Sequence, residues 1–374
     1  MNVKIYIGIG LIAITNISYA NCNLINDNVK QIMHKNQITG VAIAIISHGN
    51  TEFCNYGYTT ATKKDKVTQH TIFEIASISK TITATLAGIA ASRGLLNLQE
   101  PINQYVKSLN NVTVYNEVNS QELLTHVSGL NFTQETNFNQ SRAGFINTLA
   151  KTQAQHLPQT YYRYGQVGIS LVAIALEDIY KLSFNKILKQ QLLNRIGMSE
   201  TFINPPANYK NVATGYNTHN QAVPMFSTGI LVPSAGLWSS SQDLAKYIKV
   251  QLDSSHYPNL TKALSFVHKN YYCLYQDGTY QQLAWEYHPR SDLLSIFQPN
   301  INTNTGSISR ELAKSCANNS NGFIEKSGNS PGMSSYIIYM PSAGTGVVVL
   351  TNKALVPDSV NLGRSILKQI SPQI

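Results

Sequence analysis

The period of the apolar positions changes along the chain, and each change marks an element. Leu24, Ile25, Val29, Ile32 and Met33 recur at helical spacing, so an amphipathic helix is expected there. Val41 to Ser47 is apolar and β-branched, His48-Gly49-Asn50 has turn chemistry, and Thr51 to Tyr58 can return as the hairpin partner. The far end repeats this plan. Tyr336 to Met340 is apolar, Pro341-Ser342-Ala343-Gly344 is a turn, and Gly346 to Thr351 is a second β-branched run. Leu362, Ile366, Leu367 and Ile370 then predict a closing helix. Two terminal hairpins flanked by two terminal helices imply one antiparallel sheet assembled from both chain ends. From about Thr81 to Leu193 the spacing is mostly helical, so a helical subdomain is inserted between the halves of the sheet. The expected class is α+β, with residues 21–80 and 215–374 forming the sheet part and 81–214 the helical part.

Residues 1–20 follow a different rule. Lys4 precedes an apolar run from Ile5 to Ile14, and the stretch ends Ser18-Tyr19-Ala20. That is the form of an export leader cleaved after Ala20, and the run is shorter than the roughly 20 residues a membrane span needs. A soluble periplasmic or secreted product is expected, acting as a monomer without stable membrane insertion. In such an oxidising compartment the four cysteines can pair. Proximity in sequence suggests Cys22 with Cys54 and Cys273 with Cys316, among three possible pairings. No CxxC or clustered histidine spacing points to a metal, and no cofactor is expected. The net charge of +9 is spread without runs of Lys or Arg. That argues against a nucleic-acid partner, which calls for basic clusters with interleaved aromatics, and mildly favours anionic small molecules.

Chemistry concentrates in Phe73-Glu74-Ile75-Ala76-Ser77-Ile78-Ser79-Lys80-Thr81. Ile82, Leu86 and Ile89 predict a helix with one apolar face starting here, and Gly94 predicts its stop. Residues three apart share a helix face, so the Lys80 amine can sit over the Ser77 hydroxyl. A serine hydroxyl needs an adjacent base to attack near neutral pH, and a helix N-terminus offers an N–H to a developing oxyanion. Ser-x-x-Lys recurs at Ser183/Lys186 and Ser365/Lys368, where helix surface is a sufficient explanation. Only the Ser77 copy has partners downstream.

Two such partners follow in order. Tyr161-Tyr162-Arg163-Tyr164-Gly165 lies after Pro158 and before an apolar helical run through Val167, Ile169, Leu171, Ala173 and Leu176. A loop before a helix is a good place for a tyrosine that relays protons to the leaving group. Lys326-Ser327-Gly328 precedes the strand at Tyr336; on an edge strand it offers an ammonium and a hydroxyl to a substrate carboxylate, with close backbone approach at the glycine. Asn329 would add a second oxyanion N–H. His126 is read as a buried structural histidine.

With these elements in order the chain resembles the serine β-lactamase and penicillin-binding protein family, and within it the class C branch. Supporting stretches are Ser92-Arg93-Gly94, Leu123-Leu124-Thr125-His126-Val127-Ser128-Gly129-Leu130, Ile196-Gly197-Met198, Tyr280 through Glu286, and Leu350-Thr351-Asn352-Lys353. The resemblance implies a β-lactamase/transpeptidase-like fold and acylation of Ser77 by an amide or ester carbonyl, followed by water. Lys80 and Tyr162 would be the proton-handling pair and Lys326 a third cation. The family's usual Tyr-x-Asn element has Tyr164 at its third position when aligned on Tyr162, which removes the amide that binds the substrate's acylamide. The class C branch also tends to place an aromatic near Pro233-Ser234-Ala235-Gly236-Leu237, where this chain has alanine. The expected substrate is a small β-lactam or a D-alanyl peptide. The alternatives are a D-alanyl carboxypeptidase or esterase of the same fold, and a penicillin-binding sensor that acylates without turnover.

Overall fold

The structure, a computed structural model, describes residues 22–62, 64–132, 139–225, 228–275, 278–289, 310–314 and 322–371. The expected leader, residues 1–20, and Cys316, the expected partner of Cys273, lie outside the described residues.

The elements that frame the molecule are α1 (Cys22–Asn36), β1 (Gly40–Ser47), β2 (Asn50–Gly57), α2 (Ser79–Ser92), β3 (Tyr161–Tyr162) and α3 (Val167–Tyr180). They continue with α4 (Ser241–Leu252), α5 (Pro258–Val267), β4 (Tyr272–Cys273), β5 (Tyr280–Gln281), β6 (Glu286–His288) and β7 (Arg310–Glu311). β8 (Phe323–Asn329), β9 (Ser334–Met340), β10 (Thr345–Thr351) and α6 (Val356–Ile370) complete the set. Eight strands form one sheet in the order β4-β5-β6-β8-β9-β10-β1-β2, every neighbour antiparallel. The β1–β10 pairing, Val41 with Thr351 through Ser47 with Thr345, joins the chain's two ends as the mirrored hairpins predict.

The strands read as unbroken apolar runs because both faces of the sheet are covered, and the period of two decides which side each residue serves. Ala42, Ala44, Ile46, Ile337, Tyr339, Val348 and Leu350 belong to the large core shared with the helical part. Val41, Ile43, Ile45, Tyr336, Ile338, Val347 and Val349 belong to a second core with Ile25, Val29, Val360, Ile366 and Leu367 of α1 and α6. A one-residue slip would exchange the two sets.

Two differences from the sequence reading have simple causes. The helix expected to start at Ser77 opens as a 3-10 turn, Ala76–Ile78, before α2. And α2 does not show one apolar face. It is buried from Ser79 to Ala90, small and hydroxyl residues included, because it runs through the middle of the helical part and packs closely on α5 at Gly88. Its end is as expected: Gly94 takes φ +71° and Leu95 N–H returns to Ala90 O at 3.0 Å.

The outer core contains a buried charge cluster. The Arg364 guanidinium on α6 pairs bidentately with the Glu325 carboxylate on β8, and Tyr336 donates to the same carboxylate. Burial alone would raise the Glu325 pKa, but His288 and Arg364 hold it well below the usual carboxylate range. α1 is fixed to β2 by the disulfide Cys22–Cys54, which closes a separation of 32 residues, and by Cys22 N–H donating to Glu52 Oε1 at 3.0 Å. Closing a loop of that size restricts the unfolded chain by about 3.7 kcal/mol. Replacing Cys22 and Cys54 by serine should therefore lower the unfolding free energy by about that amount. A urea titration checks it; an unchanged midpoint would mean that packing alone holds α1.

Candidate active site

The turn carrying Ser77 is held from several sides. Phe73 and Glu74 pair with Ser239 and Trp238, Ile75 N–H donates to Leu237 O at 3.0 Å, and the Ser335 hydroxyl donates to Ile75 O at 2.8 Å. Ala76 is forced to φ +44°, the left-handed region that costs an L residue about 1–2 kcal/mol. Ser77 itself is half-buried, at the mouth of the turn.

β8 passes directly against this turn. β6 pairs with β8 only from Phe323 to Glu325, so among the described residues the stretch from Lys326 to Asn329 has no strand on that side. A Cβ on Gly328 would lie 2.4 Å from Ile75 O and 3.1 Å from Ser77 N. Any side chain there would push the strand off the nucleophile, so the glycine allows the approach. Ser327 is half-buried and Asn329 exposed beside it.

The Lys80 ammonium reaches the Ser77 hydroxyl at 3.0 Å and is anchored to Ser234 O at 2.9 Å. The segment Pro233-Ser234-Ala235 therefore holds the lysine, whatever its alanine does to the width of the cleft. Lys80 is fully buried and Lys326 is 7% exposed. Between them stands a tyrosine, and it is Tyr164. Its hydroxyl is hydrogen-bonded to Ser77 and Lys80 and to Lys326, and the two Nζ atoms lie 4.9 and 4.8 Å from its ring centre.

The expectation that Tyr162 partners Ser77 does not fit this geometry. Tyr162 lies on β3, paired with Arg310 of β7, and packs with Val127 and Leu274. Burial pushes its hydroxyl pKa well above the ordinary value, with Glu286 and Tyr164 adding to the effect. Tyr164 goes the other way. Burial raises its pKa, but Lys326 and then Lys80 outweigh that, with the hydrogen bonds from Ser77 and Lys80, and bring it down to about 8. At neutral pH roughly a tenth of Tyr164 is phenolate, against roughly a thousandth for a free tyrosine.

Shifting the register by two also relocates the amide. The element is Tyr164-Gly165-Gln166, and Gln166 caps the start of α3 with its Oε1 3.4 Å from Ser234 Oγ. Tyr164 is thus no replacement for the family's asparagine; a glutamine stands at that place. The residue of this site that the sequence reading missed is Gln166, and the signal was available as an amide two residues after a tyrosine, immediately before the helix.

Lys326 is 3.9 Å from Glu286. Burial works against its charge, but Tyr164 and Glu286 together raise its pKa, so it stays an ammonium. His126 is buried at φ +63°, its ring 4.6 Å from that of Tyr164 and 5.8 Å from that of Tyr162. Burial, Lys80 and Lys326 hold its pKa well below the ordinary value. It is a neutral wedge behind the tyrosine. The other Ser-x-x-Lys copies are remote in kind: Ser183, Lys186 and Lys368 are exposed.

Among the described residues two groups have metal-ligand types close together. Cys22, Glu52 and Cys54 are occupied by the disulfide. In the other, Glu325 is neutralised by Arg364 and Glu286 faces Lys326. Neither leaves a free anionic donor set for a cation.

A half-buried serine, a phenol of lowered pKa and two ammonium groups can transfer an acyl group through serine. The sequence model of the family named Beta-lactamase matches residues 25–369. The chain belongs to the β-lactamase family. It is a serine hydrolase of that family, and the expected resemblance, on the class C side, is confirmed. It is 28% identical over 341 residues to a β-lactamase of Pseudomonas fluorescens, covering 88% of this chain and 93% of that one. To a β-lactamase of Providencia stuartii it is 28% identical over 357 residues, 92% and 91% of the two chains. The fold matches the crystal structure of a β-lactamase/D-alanine carboxypeptidase from Pseudomonas syringae with a TM-score of 0.83 at 27% identity, over 92% of this chain and 98% of that one. The β-lactamase/transpeptidase fold and its small-molecule substrates follow for this member of the family.

A base acts when deprotonated, so acylation by an activated aryl ester should rise with pH and level off above about 8, following Tyr164. Tyr164→Phe should lose that rise and at least about 100-fold in rate. Tyr162→Phe should keep both the profile and most of the rate. Stopped-flow release of the phenol reads all three; a profile that follows Tyr162 instead would reverse the assignment.

Proposed function

We propose that this protein opens β-lactam rings through an acyl-enzyme on Ser77. The observation that carries the reading is the Tyr164 hydroxyl held on Ser77 between Lys80 and Lys326. The Tyr164 phenolate takes the Ser77 proton as Oγ attacks the ring carbonyl. The oxyanion is met by the backbone N–H groups of Ser77 and Asn329, which Gly328 allows to converge. The C–N bond breaks and the nitrogen takes the proton back from Tyr164. Water then repeats the sequence on the ester, losing its proton to Tyr164 and returning Ser77. Lys80 and Lys326 lower the Tyr164 pKa, so that its phenolate is within reach near neutral pH for each step. Lys326 and Ser327 receive the substrate carboxylate, and the Gln166 amide receives the acylamide.

A second reading has a specific support. The Pseudomonas syringae protein of matching fold is named as both β-lactamase and D-alanine carboxypeptidase, so cleavage of D-alanyl peptides by the same steps is the alternative. Export is proposed from the leader-like residues 1–20, with the Cys22–Cys54 disulfide suited to an oxidising compartment. Action as a monomer is proposed with it.

A fluorescent penicillin and a chromogenic cephalosporin separate these readings. Fast turnover that disappears in Ser77→Ala is the expected result. Stable labelling without turnover would favour the peptidase or a sensor, and full activity in Ser77→Ala would overturn the mechanism. Gln166→Ala should lower kcat/KM about tenfold for substrates with an acylamide, the worth of one hydrogen bond made in the transition state. Loss of the same size on a substrate without the acylamide would remove Gln166 from that role.

A further inference from the structure

Arg310 is placed like a receptor group that lacks its ligand. It opens β7, opposite Tyr162 of β3, and its guanidinium carbon lies 4.9 Å from the Tyr162 ring centre and 4.2 Å from that of Tyr275. Its Nε is buried and makes no hydrogen bond. Among the described residues no carboxylate or carbonyl is bonded to it. Ring contacts fix the guanidinium but use its faces, leaving the donors on its edge unspent. Leaving a buried charged donor unsatisfied is costly. A carboxylate matches two of those donors at once.

The position says which part of a substrate it would meet. Tyr275, against which Arg310 packs, follows β4, on the side of the sheet where β5, β6 with Glu286 and β8 with Lys326 come next, and Glu286 stands against Lys326. Gln166, by contrast, lies with Ser234 and so with Lys80. Arg310 therefore belongs to the Lys326 side of Tyr164, away from the acylamide side. The aromatic cluster of Tyr162, Tyr164, Tyr272 and Tyr275 joins it to the nucleophile.

We propose that Arg310 recognises a second carboxylate on the leaving group, beyond the one received by Lys326 and Ser327, and so selects acyl donors whose departing part is a dicarboxylate. This rests on the Ser77 acyl-enzyme reading and on Lys326 taking the first carboxylate. The residue decides specificity and takes no part in the bond changes.

The test uses phenylacetylglycine esters of 3-hydroxybenzoate and of 5-hydroxyisophthalate, which differ by that carboxylate alone. The quantity read is the ratio of kcat/KM, isophthalate ester over benzoate ester. In the wild type it should exceed one and fall with added salt. Arg310→Gln should reduce it about tenfold, the size of a charge-assisted hydrogen bond, Arg310→Lys less, and Arg310→Glu should push it below one. A wild-type ratio of one or less, or a ratio that Arg310→Gln leaves unchanged, overturns the proposal whatever the absolute rates. Calorimetry on Ser77→Ala separates this from failure of the mechanism. That protein should bind 5-hydroxyisophthalate about tenfold more tightly than 3-hydroxybenzoate, and equal affinities overturn the anion site even where no ester is turned over.

Discussion

Two ammonium groups buried side by side are the constraint around which the site is organised. Lys80 is wholly out of water and Lys326 nearly so, and each charge pays for desolvation unless an anion is close. Glu286 lies at the edge, 3.9 Å from Lys326, and Lys80 holds the Ser77 hydroxyl and Ser234 O. The phenolate of Tyr164 answers both. The pKa of about 8 and the raised pKa of Lys326 are two descriptions of one coupling. Burial, reinforced by the same two ammonium groups, keeps His126, packed on that ring, neutral.

That coupling needs backbone held more tightly than a loop could hold it. The 3-10 turn at Ser77, the positive φ of Ala76 and the contact of Gly328 with Ile75 O are strained or crowded features. They persist because a sheet covered on both faces and a fully buried α2 leave no room to relax. The strain at 76 is small beside that packing. Stability is concentrated in the sheet and spent at the turn, so the nucleophile keeps its place before any substrate arrives.

Most of this was legible in the residues, and the part that was not has a physical reason. Ser77 and Lys80 show through because one helix brings residues three apart together, and Lys326-Ser327-Gly328 because its glycine marks a close approach. The mirrored hairpins disclosed the sheet because β-branched runs and turn residues are local signals. The tyrosine was misplaced by two positions. Tyr162 and Tyr164 have the same local setting, after Pro158 and before α3, so local pattern cannot separate them. What separates them is a contact distant in sequence, the pairing of Arg310 with Tyr162, which turns one phenol into wall and leaves the other facing the lysines. The single apolar face expected for α2 failed for a related reason, since burial of Thr81, Thr83 and Thr85 depends on partners far along the chain, such as Pro233 O and the Tyr247 hydroxyl.

The site is biased toward positive charge. Lys80 and Lys326 lie against the Tyr164 ring and Arg310 against that of Tyr162, and among the described residues Glu286 is the carboxylate that faces one of the three, Lys326. Tyr164 can offset one positive charge only while deprotonated, and it gives that charge up each time it holds the serine proton. The charge it gives up appears on the forming oxyanion, which stays in the field of the same ammonium groups and of the N–H groups beside Ser77. The oxyanion is therefore held by groups already in place. Binding of that kind lowers the barrier instead of only filling the site. The positive excess beside Ser77 serves the chemistry through the charge on the oxyanion, and it does so only because the phenol titrates within reach of neutral pH.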